Sequence, residues 1–208
     1  MLAFWGLHIS GQELTIAGAY CSFTCAIIIW GWQELAFLFG YITGSRRSDC
    51  PADIGGMRRA WYAFQTINYH ELTLLVLGLI LFLINLESVN QTGFLTYVIL
   101  WGMRQSTKVN IYLGVLNFNE AFLPQHLKYL ITYFRRRAMN LLMPISILAS
   151  LLFLIPIWTR AASESSLYEM TSSVLLGTLL ALGLLEHLFL VLPFPNEWLW
   201  KWGYKNNG

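Results

Sequence analysis

The chain is expected to be an all-α integral membrane protein: a bundle of about five transmembrane helices with a cytoplasmic interfacial amphipathic helix. Three observations predict this. Of 208 residues, 56% are hydrophobic and 12% are charged, about half the charged share of a soluble domain. Mean hydropathy is +0.54, with nine tryptophans. Five stretches approach or exceed the roughly 20 predominantly apolar residues that a crossing helix needs. Lipid offers no partner to an open sheet edge, so these stretches should be helices.

The elements follow in order. The opening MLAFWGLHIS is apolar, too short to cross, and lacks the charged n-region of a signal peptide. It reads as an interfacial segment, or as the end of a helix that begins upstream of this numbering. The expected spans cover residues 17–43, 60–84, 92–112, 141–158 and 173–193 of a single polytopic domain, 1–208. Residues 121–137, AFLPQHLKYLITYFRRR, put Leu123, Leu127, Leu130, Ile131 and Phe134 on one helical face. Pro124 suits a first helical turn, and the three closing arginines suit anionic headgroups. A loop helix packed on the bundle is the plainer alternative. The tail NEWLWKWGY reads as an aromatic belt at the interface. Asn90-Gln91-Thr92 is a glycosylation sequon of the kind that arises by chance and carries no weight.

Loop charges set the orientation. Arg46, Arg47, Arg58, Arg59, Lys128, Arg135, Arg136, Arg137, Lys201 and Lys205 fall in alternate loops and the tail, while the other loops hold Arg160. Ten cations against one put the basic loops and the C-terminus in the cytoplasm.

Several classes are excluded. Cys21, Cys25 and Cys50 form no CxxC pair or disulfide framework and read as free thiols. There is no glycine-rich phosphate loop, no nucleophile elbow, no HExxH and no nucleic-acid surface.

Ionisable residues inside the spans carry the functional signal. Glu34, His70, Glu71, Arg104, Lys108, Glu186 and His187 interrupt four of the five apolar runs. At about 1.5 Å per residue, Glu34 and His70 are expected about 14–15 Å deep, Arg104 about 12 Å and Glu186 about 10 Å. One charge at the bilayer centre costs about 2.5–3.5 kcal/mol even on the lenient scale, so these groups are expected to face inward as one buried polar cluster. Arg104 and Lys108, four apart, present two cations on one face. Glu186 is expected to meet Arg104 or Lys108, and His187 to meet a carboxylate, an ion or a pigment magnesium.

Three readings of the layer stay open. The first is a structural network of paired charges. The second is a pigment site, with His70 or His187 coordinating the magnesium of a chlorin. The third is a metal centre, iron above all, drawing on Glu34, His70, Glu71, Glu120, Glu186 and His187. Against the third, adjacent residues diverge by about 100° around a helix, so His70 and Glu71 do not aim at one ion.

The stretches WGWQELAFLFGYITG, INYHEL, LWGMRQSTKVNIYLGVLNFNEAFLP, YFRRRAMNLLMPIS and LLEHLFLVLPFP resemble the PuhE family of photosynthetic-complex assembly proteins of phototrophic bacteria. The likeness runs from about residue 20 to 202, with the motifs in family order. Family members carry one or two more apolar segments upstream of the position where this chain starts. The resemblance implies a multi-pass protein of the bacterial inner (intracytoplasmic) membrane. It further implies work with reaction-centre and light-harvesting subunits and control of bacteriochlorophyll supply. Glu34, His70, Glu71, Arg104, Lys108, Asn110, Asn117, Glu120, Glu186 and His187 occupy its motif positions, with no role transferred to any of them. An assembly or accessory factor is the function expected. A membrane metalloenzyme acting on a pigment or lipid precursor, and a permanent structural subunit, are the alternatives.

Overall fold

A computed structural model describes residues 1–118, 120 and 123–192. The elements are α1 (Leu2–Ser10), α2 (Ile16–Leu38), α3 (Gly56–Gln65), α4 (Asn68–Asn85), α5 (Thr92–Leu113), a 3₁₀ helix (Gln125–Tyr133), α6 (Leu142–Ser163) and α7 (Leu167–Val191). The fold is all-helical, and no strand occurs among the described residues beyond one isolated bridge, Val115 to Arg136. Four helices are long and apolar enough to cross a membrane: α2, α4, α6 and α7. By length and composition the chain is therefore a multi-pass membrane protein. The third expected span, α5, has 22 residues but falls short in hydropathy. Its last three turns hold Arg104, Gln105, Ser106, Thr107, Lys108 and Asn110. It packs against α2, α4, α6 and α7, so protein rather than lipid surrounds much of its polar stretch.

The second expected span divides in two. Residues 56–65 form a separate helix, α3, and the crossing helix α4 begins at Asn68. The sequence explains the break. Gln65, Thr66 and Asn68 interrupt the apolar run, the Thr66 hydroxyl donates back to the Ala63 carbonyl, and the Asn68 side chain accepts from the Ser45 amide. A Cβ at Gly44 would stand 2.2 Å from the Gln65 carbonyl oxygen, so only glycine lets the 44–45 loop reach this joint. The first span also ends early, at Leu38.

Residues 125–133 of the expected amphipathic helix adopt a 3₁₀ helix instead of an α-helix. Its buried residues Leu127, Leu130 and Tyr133 are spaced by three, the period at which 3₁₀ side chains eclipse on one face. Leu127 and Leu130 pack on Phe37 of α2. Ala121 and Phe122 lie outside the described residues, as does the aromatic tail. The arginines follow the helix in non-helical chain.

The two basic loops meet at one end of the bundle. Arg46 Nε donates to the Tyr133 hydroxyl at 2.6 Å, and its guanidinium stacks 4.4 Å from the Tyr62 ring centroid. Arg59 donates to the Thr132 carbonyl at 3.2 Å. The opposite end closes on Asn90, which is buried. Its amide donates to the Ser10 carbonyl and the Ser22 hydroxyl, both at 2.9 Å, and its carbonyl accepts from Tyr168 at 3.0 Å. Thr92 and Ser172 hydroxyls bond nearby at 2.8 Å. This knot ties α1, α2, α5 and α7 together. Arg160, the cation of this end, pairs with Glu169 at 2.7 Å and Glu164 at 3.9 Å.

Candidate functional site

The helix ends place the charged residues nearer the basic face than counting along longer spans implied. Glu34 lies four residues from the end of α2, and Glu71 lies three from the start of α4. At 1.5 Å per residue that is about 6 Å and about 5 Å inside the helix termini. Glu34 and Glu71 sit about one turn in, because α2 ends before residue 43 and α3 takes residues 56–65, while Arg104 lies nine residues from the end of α5.

Glu34 joins three helices. Its Oε2 lies 3.0 Å from a terminal nitrogen of Arg104 on α5, and its Oε1 lies 3.5 Å from Nε2 of His70 on α4. His70 is fully buried, its ring 4.7 Å from that of Phe37 and its backbone amide donating to the Thr43 carbonyl at 2.9 Å. Its contact with Glu34 is an ion-range approach without hydrogen-bond geometry, and both ring nitrogens lack a protein partner. Gln33 Oε1 of α2, Thr43 Oγ1 of the loop that follows it, and Arg104 Nε and Thr107 Oγ1 of α5 are also buried without one. Each such atom costs about 1–3 kcal/mol when it stays unsatisfied.

Glu71 is held separately. Lys108 Nζ donates to its Oε1 and Gln105 Nε2 to its Oε2, both at 2.6 Å. Both ends of the ion pair are mostly buried, with Glu71 12% and Lys108 18% exposed. Lys108 and Gln105 therefore saturate one carboxylate from adjacent turns of α5.

His187 and Glu186 face different ways, as neighbouring helical residues must. His187 is fully buried and satisfied on both sides: Nε2 lies 2.8 Å from the Ser106 hydroxyl, and Nδ1 lies 2.9 Å from the Gly183 carbonyl. Its protein partners are a serine and its own helix, and no carboxylate is among them. The Asn110 amide extends this network to the Ser106 carbonyl and Ser146 at 2.9 and 3.0 Å. Glu186 is exposed, and among the described residues it forms no ion pair. The expected bond to Arg104 or Lys108 is missing because Glu34 and Glu71 already engage those cations.

The metal reading loses its geometry. Among the described residues no three His, Cys, Asp or Glu side chains converge on a point. Glu120 stands apart and pairs with Arg136 at 2.8 Å. Cys21, Cys25 and Cys50 are free thiols.

Two cavities flank α5. The larger, about 600 Å³, lies between α3, α4, α5 and the 3₁₀ helix. Its walls are largely apolar, with Phe37, Phe64, Leu72, Leu75, Trp101 and Phe134 among them, and Glu71, Gln105 and Lys108 on one side. The smaller, about 300 Å³, is a groove between α2, α5 and α7 that includes Glu34, Arg104 and Glu186. Arg104 borders both, and neither histidine lines either one. Sequence reasoning missed the larger cavity because it counted residues 60–67 as part of a span, when they belong to the roof.

These features define a class: a multi-pass helical membrane protein whose packed helices share a layer of paired charges beside an apolar cavity. The chain belongs to the family of proteins of unknown function DUF3623, which matches it over residues 1–208. It is 37% identical over 194 residues to an uncharacterized 30.4 kDa protein in the puhA 5′ region of Rhodobacter capsulatus. The match covers 93% of this chain and 70% of that protein. No solved structure matches.

Proposed function

We propose that the chain is an assembly or accessory factor for a bacterial photosynthetic complex, of the PuhE type, working within the membrane beside reaction-centre and light-harvesting subunits. Two sequence findings support the setting: the motif resemblance to that family and the relative in the puhA 5′ region. The observation that carries the role is the cavity of about 600 Å³ with apolar walls and a neutralised carboxylate–ammonium pair on one side. Its size falls in the ordinary range for small-molecule sites, about 300–1,000 Å³. An apolar chamber without converging catalytic groups suits holding and handing over a membrane-soluble molecule better than transforming one. Bacteriochlorophyll or a late precursor is the cargo this reading assigns. Burial of the macrocycle would hold it, without a histidine ligand, since both intramembrane imidazoles are enclosed.

The test is deletion of the gene in its phototrophic host, with pigment and metal analysis of the detergent-purified protein. The accessory reading expects less mature complex in the deletion strain, a chlorin absorption band in the purified protein, and no fixed stoichiometry in mature complexes. Unchanged complex yield and spectra would overturn it. Stoichiometric iron would favour the membrane metalloenzyme, and retention at fixed stoichiometry the structural subunit.

A further inference from the structure

The basic-side halves of α2, α4, α5 and α7 hold three carboxylates, Glu34, Glu71 and Glu186, against two basic side chains, Arg104 and Lys108. The carboxylates thus outnumber the basic side chains by one. The excess has a definite place. Arg104 is engaged by Glu34 at 3.0 Å and Lys108 by Glu71 at 2.6 Å, which leaves Glu186. Glu186 is also the carboxylate that the fold turns outward, at one end of the groove between α2, α5 and α7. From Glu186 the groove runs to Leu179, seven residues or about 10 Å along α7. Its far part is apolar: Trp30, Ile99, Leu100, Leu179 and Leu182.

We infer that this groove is a docking surface for a transmembrane helix of another protein, one that places a lysine, arginine or protonated histidine against Glu186. Three features select this occupant. The surface lies on crossing helices, so what reaches it comes through lipid. From Glu186 to Leu179 the groove is two helical turns long, the length over which a helix presents side chains at i, i+3, i+4 and i+7 to a groove. At its acidic end Arg104 is already paired with Glu34, and among the described residues Glu186 has no cation within ion-pair distance; a basic residue on the incoming helix would supply one, and polar contacts of this kind bind and orient helices in lipid. A plain lipid chain fits the apolar stretch but brings no positive charge. The inference rests on the proposed accessory role and deepens it by naming the surface and the chemistry of the partner.

A photo-crosslinking amino acid at Leu182, which is 58% exposed and lines the groove, tests this in native membranes of the host. The full chain is used, and adduct peptides are sequenced by mass spectrometry. The expected adduct is a transmembrane segment of a different protein with a basic residue within two turns of the crosslink. Glu186→Asp should keep the adduct within about twofold. Glu186→Gln and Glu186→Lys should reduce it about tenfold, a difference of about 1.4 kcal/mol. Charge reversal of the partner's basic residue should restore it in the Glu186→Lys background. Where Glu186→Lys lowers abundance, the near-isosteric Glu186→Gln carries the test. Adducts confined to lipid, to the chain's own residues 193–208, or to a segment without a basic residue would overturn the inference. So would Glu186→Gln crosslinking as well as the wild type. The two readings fail separately: the expected adduct with unchanged complex yield in the deletion strain leaves the surface standing and removes the photosynthetic role.

Discussion

Glu71 and Lys108 meet at 2.6 Å with most of both side chains out of solvent. Removing one partner of such a pair strands the other, which typically costs about 3–5 kcal/mol, whereas replacing both by apolar groups can be nearly neutral. Lys108→Ala is therefore expected to lower thermal stability in detergent sharply, and Glu71→Leu with Lys108→Met to recover most of the loss. If the double variant is as unstable as the single one, the pair does more than neutralise charge. Ser106→Ala makes a gentler probe. It leaves Nε2 of His187 without its partner at 2.8 Å, and about 1–3 kcal/mol should be lost in the same assay. At this scale the sequence was informative about which residues are polar inside the bundle, since a charge in an apolar run is visible by eye. It was less informative about pairing. Glu34 and Glu186 look equivalent as letters, yet one turns inward to Arg104 and the other outward. Only the rotation of α7, set by the packing of Gly183 on Met103 and the bond from His187 to Ser106, separates them.

Among the elements, α1, α2 and α5 come together at Gly93. A Cβ there would lie 2.3 Å from a Leu7 methyl and 3.0 Å from the Ser22 carbonyl oxygen. The leucine tip can move, but the backbone carbonyl cannot yield as easily. Gly93→Val should cost about 1–3 kcal/mol through overpacking, read as a lower melting temperature and faster amide exchange in α1. The roof elements are held by polar bonds. Tyr133→Phe removes an acceptor for Arg46 and a donor to the Ser48 carbonyl, and about 0.5–1.5 kcal/mol per bond should follow. The long apolar helices were legible because an apolar run of about 18 residues or more with few charges is rarely anything but a crossing helix. The roof was not, for two reasons. The α3 segment is aromatic enough to blend with the span after it. The 125–133 stretch satisfies both a helical face and a three-residue period, so its apolar spacing fits either helix type. Asn90 was misleading in another way: the residue that looked like a chance sequon is a buried anchor between four helices.

For the whole molecule, the two basic loops bond to each other, so whichever side of the membrane one occupies, the other shares it. The positive-inside rule predicts that this side is the cytoplasm. Cysteine labelling should find residues 46–59 and 128–137 protected from outside reagents in intact cells and open after permeabilisation; the opposite pattern would reverse the topology. The low hydropathy of α5 has a consequence for how the chain is made. A segment with Arg104, Gln105, Lys108 and Asn110 in its second half partitions poorly into lipid alone. Its two acidic partners lie on α2 and α4, both of which leave the ribosome before it does. Synthesis order thus has the carboxylates waiting in the membrane when the cations arrive. Entry of the fifth helix becomes conditional on the second and fourth. Glu34→Gln with Glu71→Gln should then leave a fraction of nascent chains with residues 92–113 outside the bilayer and the two following helices inverted. Glycosylation acceptors engineered into 86–91 and 163–166 would score this during translation into microsomes. The ion pairs of the finished bundle would then have served first as the signal that lets its most polar helix in.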